Sequence, residues 1–134
     1  MKRLFLSVVL AVAAYLPFAA AAADWQPISK SVADRAEYFL DLDSVKFRQG
    51  RISGWVLTNY SRKRFEVASA TDLYAVDCKA NMIAHLNGGT YSEPFAQGKS
   101  LERYLGRTPN AEPVVAGTLG EKVLTELCKA NPAP

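Results

Sequence analysis

A chain of 134 residues with 16 Lys and Arg against 13 Asp and Glu has room for one domain and a short targeting segment. Its formal charge of +3 is modest. Binding along a phosphate backbone calls for a marked basic excess, so no nucleic-acid partner is expected.

Lys2 and Arg3 form a basic start, and Leu4 to Leu16 carries no charge. Pro17 breaks that stretch, and Ala19 to Ala23 offers small residues for cleavage, which is the layout of a secretory signal peptide over residues 1–23. A spanning helix needs about 20 apolar residues, and Pro17 interrupts the only candidate. Loss of Lys2 and Arg3 leaves the basic residues one ahead of the 13 acidic ones, a net charge of +1 for residues 24–134. No cysteine lies near the cleavage point, so neither a lipid anchor nor a membrane span is expected. The reading is a soluble domain, either periplasmic or secreted to the cell surface.

From Trp25 the pattern is mostly β. WQPISKS is a short strand whose Pro27 suits an edge or a strand start. AEYFLDL, residues 36–42, has strand spacing, and Asp41, Asp43 and Ser44 turn the chain. Gln49-Gly50 marks a hairpin turn. RISGWVLTNY, residues 51–60, is the clearest strand, with Ile52, Val56 and Tyr60 on one face and Trp55 and Leu57 on the other. SRKRFE, residues 61–66, reads as an exposed loop. VASATDLYAVDCK alternates again, placing Tyr74, Val76 and Cys78 on one face, and ANMIAHLNG follows after a turn near Lys79 to Asn81. GGTYSEPFAQGKS reads as a loop, SLERYL as a last strand, and Pro109 to Pro113 as a linker.

The end of the chain changes period. Thr118 followed by Glu121 is a capping box. Leu124, Leu127 and Cys128 then share a helical face, with Lys122, Glu126 and Lys129 pointing away. Gly120 would allow close approach to another surface, and Asn131 with Pro132 stops the helix.

Cys78 and Cys128, fifty positions apart, are the only cysteines. In an exported chain two such residues pair, and closing that loop would remove roughly 4 kcal/mol of unfolded-state entropy in the chain-entropy model. Free buried thiols are the alternative. Zinc needs about four ligands, with His85 the only histidine available, and a redox pair needs closer spacing. A helix of about a dozen residues is marginal alone, so it must pack on the sheet, against the face of Tyr74, Val76 and Cys78. The fold class is α+β: an antiparallel sheet of about six strands with one C-terminal helix on one face. Strands 51–60 and 71–78 are apolar on both faces, which calls either for strong curvature of the sheet or for a second copy of the chain, a homodimer.

No residue set makes a catalytic centre, and no metal or cofactor is expected. His85 has no motif around it and reads as a strand residue, at the surface or hydrogen-bonded within. Asp41 and Asp43 read as turn caps rather than an acid–base pair. Asn87-Gly88-Gly89 lacks the strand–helix setting of a phosphate loop. Arg62, Lys63 and Arg64 form the only basic run and are the candidate contact for an acidic polymer or protein. Arg48 and Arg51 should lie at the opposite end of the same strand.

Taken in order, these stretches resemble the surface-adhesin protein E family. The resemblance rests on Trp25, Tyr-Phe-Leu-Asp-Leu-Asp-Ser at 38–44, Gly-Trp-Val-Leu-Thr-Asn-Tyr at 54–60, Tyr-Ala-Val-Asp-Cys at 74–78 and the Gly-Thr-Leu-Gly-Glu…Leu-Cys helix at 117–128. It implies a six-stranded sheet, a helix tied to it by Cys78–Cys128, possible dimerisation, and binding of host matrix or serum proteins. The lipid-accepting cysteine of the best-known member is missing here. The function expected is therefore an exported, non-enzymatic, adhesin-like domain binding a protein or extracellular polymer. The alternative is a periplasmic structural or small-ligand module using the cleft between helix and sheet or an uncovered sheet face.

Overall fold

The computed structural model describes residues 23–130; the signal-peptide reading and the Asn131-Pro132 stop lie outside them, save for Ala23. The strands are β1 (Trp25–Ser31), β2 (Ala36–Asp41), β3 (Lys46–Arg48), β4 (Arg51–Arg64), β5 (Val67–Asp77), β6 (Met82–Glu93) and β7 (Gln97–Pro113), and the helix is α1 (Leu119–Lys129). One antiparallel sheet runs β1-β2-β4-β5-β6-β7, with the short β3 paired to β4 beside this path.

The turns follow their side chains. Asp41 Oδ1 accepts the N–H groups of Asp43 and Asp24, and Ser44 Oγ donates to the Asp41 carbonyl while accepting from the Trp55 N–H. Gln49 and Gly50 both take positive φ, as a tight twisted hairpin requires. Asp77 accepts from the N–H groups of Lys79 and Ala80, turning β5 into β6.

Helix α1 starts where Thr118 Oγ1 accepts the Glu121 N–H at 3.4 Å. The capping box is only half closed, because the Glu121 carboxylate reaches past the cap to the Gly117 N–H at 2.7 Å. Glu121 in the first turn and Lys129 in the last complement the helix dipole. Val123 and Leu127 are buried against Leu40, Ile52, Val56 and Val76, with Tyr74, Leu124 and Cys128 packed around them. Full burial of each such side chain contributes about 1.5–3 kcal/mol. The Cys78–Cys128 disulfide, with Cα atoms 6.0 Å apart, ties the helix to the expected face. The close approach, however, is not at Gly120, where an added Cβ would meet Ile83 at an ordinary 3.8 Å. It is at Gly54 in β4, where a Cβ would come within 2.8 Å of Leu127.

Three segments expected outside the sheet belong to it. Residues 61–64 continue β4, and only Phe65 and Glu66 turn, with Phe65 at positive φ and fully exposed. This hairpin extension buries too little to show an apolar alternation. Residues 88–93 complete β6, a single 3₁₀ turn follows at Pro94–Ala96, and the chain enters β7. The Pro109–Pro113 stretch is the end of β7, where proline is tolerated because β7 is an edge strand.

The 3₁₀ turn also bears on the second apolar face of the sheet. Phe95 packs on Phe39 at 5.3 Å, the Phe95 N–H donates to Asn59 Oδ1, and the Ala96 N–H donates to Ser69 Oγ. The segment thus folds across the face opposite the helix, next to the buried Leu57.

Candidate functional site

The helix covers only part of its own face. Along β5, Val76 and Tyr74 lie under α1, while Asp72 and Ala70, two and four residues back, share that face beyond it. A bulge in the β5–β6 pairing lets His85 stand opposite Tyr74 and Gly88 opposite Asp72, and β7 adds Tyr104 opposite Gly88. The side chains of Ala70, Asp72, Tyr74, His85 and Tyr104 line a half-open cavity of about 540 Å³ that Tyr60, Thr90, Glu102 and Arg107 complete.

Asp72 is its centre. Oδ1 accepts from the Tyr104 hydroxyl at 2.8 Å and lies 2.8 Å from His85 Nε2. The Arg107 N–H donates to His85 Nδ1 at 3.2 Å, which leaves Nε2 carrying the ring proton and donating to Asp72. The side chains of His85 and Asp72 are 13% and 15% exposed, so water competes little for this bond. The imidazole stacks on Tyr74 at 5.0 Å and meets the edge of Tyr104 at 6.2 Å. With both ring nitrogens engaged by the protein, His85 has no lone pair to offer a substrate proton.

Glycine makes the arrangement possible. A Cβ on Gly88 would fall 2.5 Å from the Tyr104 ring and 2.6 Å from Asp72 Oδ1. Burial raises the Tyr74 phenol well above its ordinary value, and the Asp72 carboxylate adds to this, with Arg107 opposing. Burial likewise raises Tyr104, followed by the charge of Asp72 and its hydrogen bond. Tyr38, farther along the same face, is raised by burial and by Asp34. All three remain neutral donors across the physiological range.

The basic run lies apart from this centre. Arg62, Lys63 and Arg64 are exposed at the end of β4, beside Asp34 and Arg35 of the β1–β2 turn, around a hollow of about 250 Å³. Arg64 is already committed: its Nη2 donates to the Asp34 carbonyl at 2.6 Å, and its guanidinium lies 4.8 Å from the centre of the Tyr60 ring. The side chains of Arg62 and Lys63 have no ion pair or hydrogen bond among the described residues, and Arg35 joins them as a further cation that the sequence did not place there. Arg48 and Arg51 pair across the β3–β4 turn, at the far end of β4 as expected.

His85 is the hydrogen-bonded strand residue that was expected, but its partners went unread. The available signal was Asp72, an acid in phase with Tyr74 and Val76 on the inward side of a strand. Gly88, which the sequence shows only as part of a short glycine pair, gives no hint of Tyr104 until the β6–β7 register is known.

Comparison with known families matches residues 25–129 to "Surface-adhesin protein E". The chain belongs to the surface-adhesin protein E family. No curated protein sequence matches it. Among solved structures, Haemophilus influenzae protein E is similar at a TM-score of 0.59 and 13% identity, covering 78% of this chain and 83% of that one. A selenomethionine form of the same protein gives 0.55 at 13% identity, over 78% and 92%. A second crystal form gives 0.52 at 12% identity, over 78% and 95%. At this identity the likeness is one of fold, and the adhesin E sheet and C-terminal helix are what this chain shares with them. Among the described residues, no helix is long and apolar enough to cross a membrane.

Proposed function

We propose that this protein is an exported, non-enzymatic binding domain of adhesin type that recognises a protein or an extracellular polymer. The observation that carries this reading is the family match, which runs from the first strand to the last turn of the helix. The engagement of both His85 nitrogens supports a binding role over acid–base chemistry. The leader at residues 1–23 is the proposed route of export, and a periplasmic or cell-surface location follows from it.

The contact proposed for an acidic partner is Arg62 and Lys63, with Arg35 alongside; Arg64 is engaged at home. Cell fractionation and binding of the purified protein to immobilised matrix proteins test this. Binding should weaken with salt, and Arg62→Ser with Lys63→Ser should weaken it about three- to tenfold, as exposed rim charges do. Equal binding by the double variant would remove these residues from the contact. A second reading, a periplasmic small-ligand module, is favoured by the cavity around Asp72; material confined to the periplasm, without matrix binding, would select it.

A further inference from the structure

We propose that the cavity centred on Asp72 is a carbohydrate site, taking the end of a neutral pyranose glycan. This goes beyond the adhesin reading, which rests on the family and the exposed cations, and it survives if that contact fails.

Four features carry it. The first is size: about 540 Å³ falls within the range of roughly 300–1,000 Å³ typical of small-molecule sites. The second is the wall. Tyr60, Tyr74 and Tyr104 line it, and Leu105, 87% exposed, forms an apolar lip. A pyranose ring presents a face of C–H bonds that packs on the electron-rich face of an aromatic ring.

The third is hydrogen bonding. A sugar hydroxyl donates and accepts at once, and the site offers both kinds of partner. Asp72 and Glu102 accept, Arg107 donates, the Tyr60 and Tyr74 hydroxyls do either, and Tyr104, whose proton goes to Asp72, accepts. Thr90 lines the same wall, and its Oγ1 is shut from solvent with no partner among the described residues. A buried hydroxyl without a partner is costly, and a change of rotamer would offer it to an entering ligand.

The fourth is charge. Asp72 and Glu102 stand against Arg107 in the wall and Arg64 behind Tyr60, so the positive and negative groups balance. Such a site has no net charge to attract an anionic ligand such as a nucleotide or a phosphosugar. An uncharged polyol needs no such attraction. The site is also preformed: Gly88 lets Tyr104 and Asp72 close together over its backbone, and the His85–Asp72–Tyr104 bonds fix the carboxylate before any ligand arrives.

Isothermal calorimetry of the purified protein with methyl-α-mannoside, methyl-β-galactoside and N,N′-diacetylchitobiose tests the proposal. At least one should bind saturably. Glu102→Gln, at an exposed rim position, keeps the fold and should weaken that binding about tenfold, and Tyr60→Ala should weaken it at least as much. Arg62→Ser with Lys63→Ser should leave it unchanged, which separates this site from the matrix contact. Absence of saturable binding by all three sugars, or binding that neither Glu102→Gln nor Tyr60→Ala alters, would overturn it. So would binding of a Tyr-rich or Pro-rich peptide in the cavity with all three sugars failing to compete.

Discussion

Asp72 occupies a strand position where the alternation of β5 would place an apolar side chain, and the molecule meets the cost by surrounding it with donors. Its neighbours Tyr74 and Tyr104 bear the consequence, since burial and the adjacent carboxylate hold both phenols protonated beyond their usual range. Their folded-state values lie above the unfolded value of about 10. The stability they contribute is therefore complete below that pH and is lost as pH rises toward the folded values. Urea midpoints should hold steady to about pH 9 and fall beyond about pH 10, and the fall should be shallower in Tyr74→Phe with Tyr104→Phe. An unchanged alkaline limb in that double variant would contradict this account. The candidate residues Arg62 and Lys63 were legible as a charge run. The Asp72 centre was not, because its members come from three strands and meet only through a bulge at Leu73/Tyr74 that no local pattern announces.

The helix is the element best specified by its own sequence, with a cap at Thr118 and an apolar face through Leu124, Leu127 and Cys128, to which the structure adds the buried Val123. Its seat was less readable, because Gly54 lies in β4 and its fit against Leu127 depends on a contact more than seventy residues away. Gly54→Ala should cost about 1–3 kcal/mol by overpacking, and Leu127→Ala about 2–5 kcal/mol by opening a cavity. Combined, they should cost less than their sum, since the smaller residue makes room for the larger one. Chemical denaturation of the single and double variants measures this, and strict additivity would mean that the helix does not sit where it is placed. The strands read less evenly. Those buried on at least one face, such as 51–60, alternate and are recognisable. The exposed ends of β4 and β7 are strands by hydrogen bonding alone and carry the charges, prolines and glycines of loops.

At the scale of the whole molecule, one layer of helix covers part of one sheet face, the 3₁₀ turn at Pro94–Ala96 crosses the other, and the uncovered remainder of the helix-bearing face becomes the cavity. The disulfide holds that division in place. It closes the chain between residues 78 and 128, and in the chain-entropy model it removes roughly 4 kcal/mol from the unfolded state, a large share of the ~5–15 kcal/mol typical of domains. The two-cysteine frame and the change of period at the end of the chain made this architecture readable in outline. The side-by-side placement of helix and cavity depended on strand registers that only the folded chain reveals. A tethered helix and an exported chain are one claim, since the bridge forms and persists in an oxidising compartment. Intact mass spectrometry of unreduced protein isolated from its native cells tests both together. The account predicts a chain beginning at Asp24 and lighter by two hydrogens than its reduced form; a chain retaining its leader, or one with free thiols at Cys78 and Cys128, would contradict it.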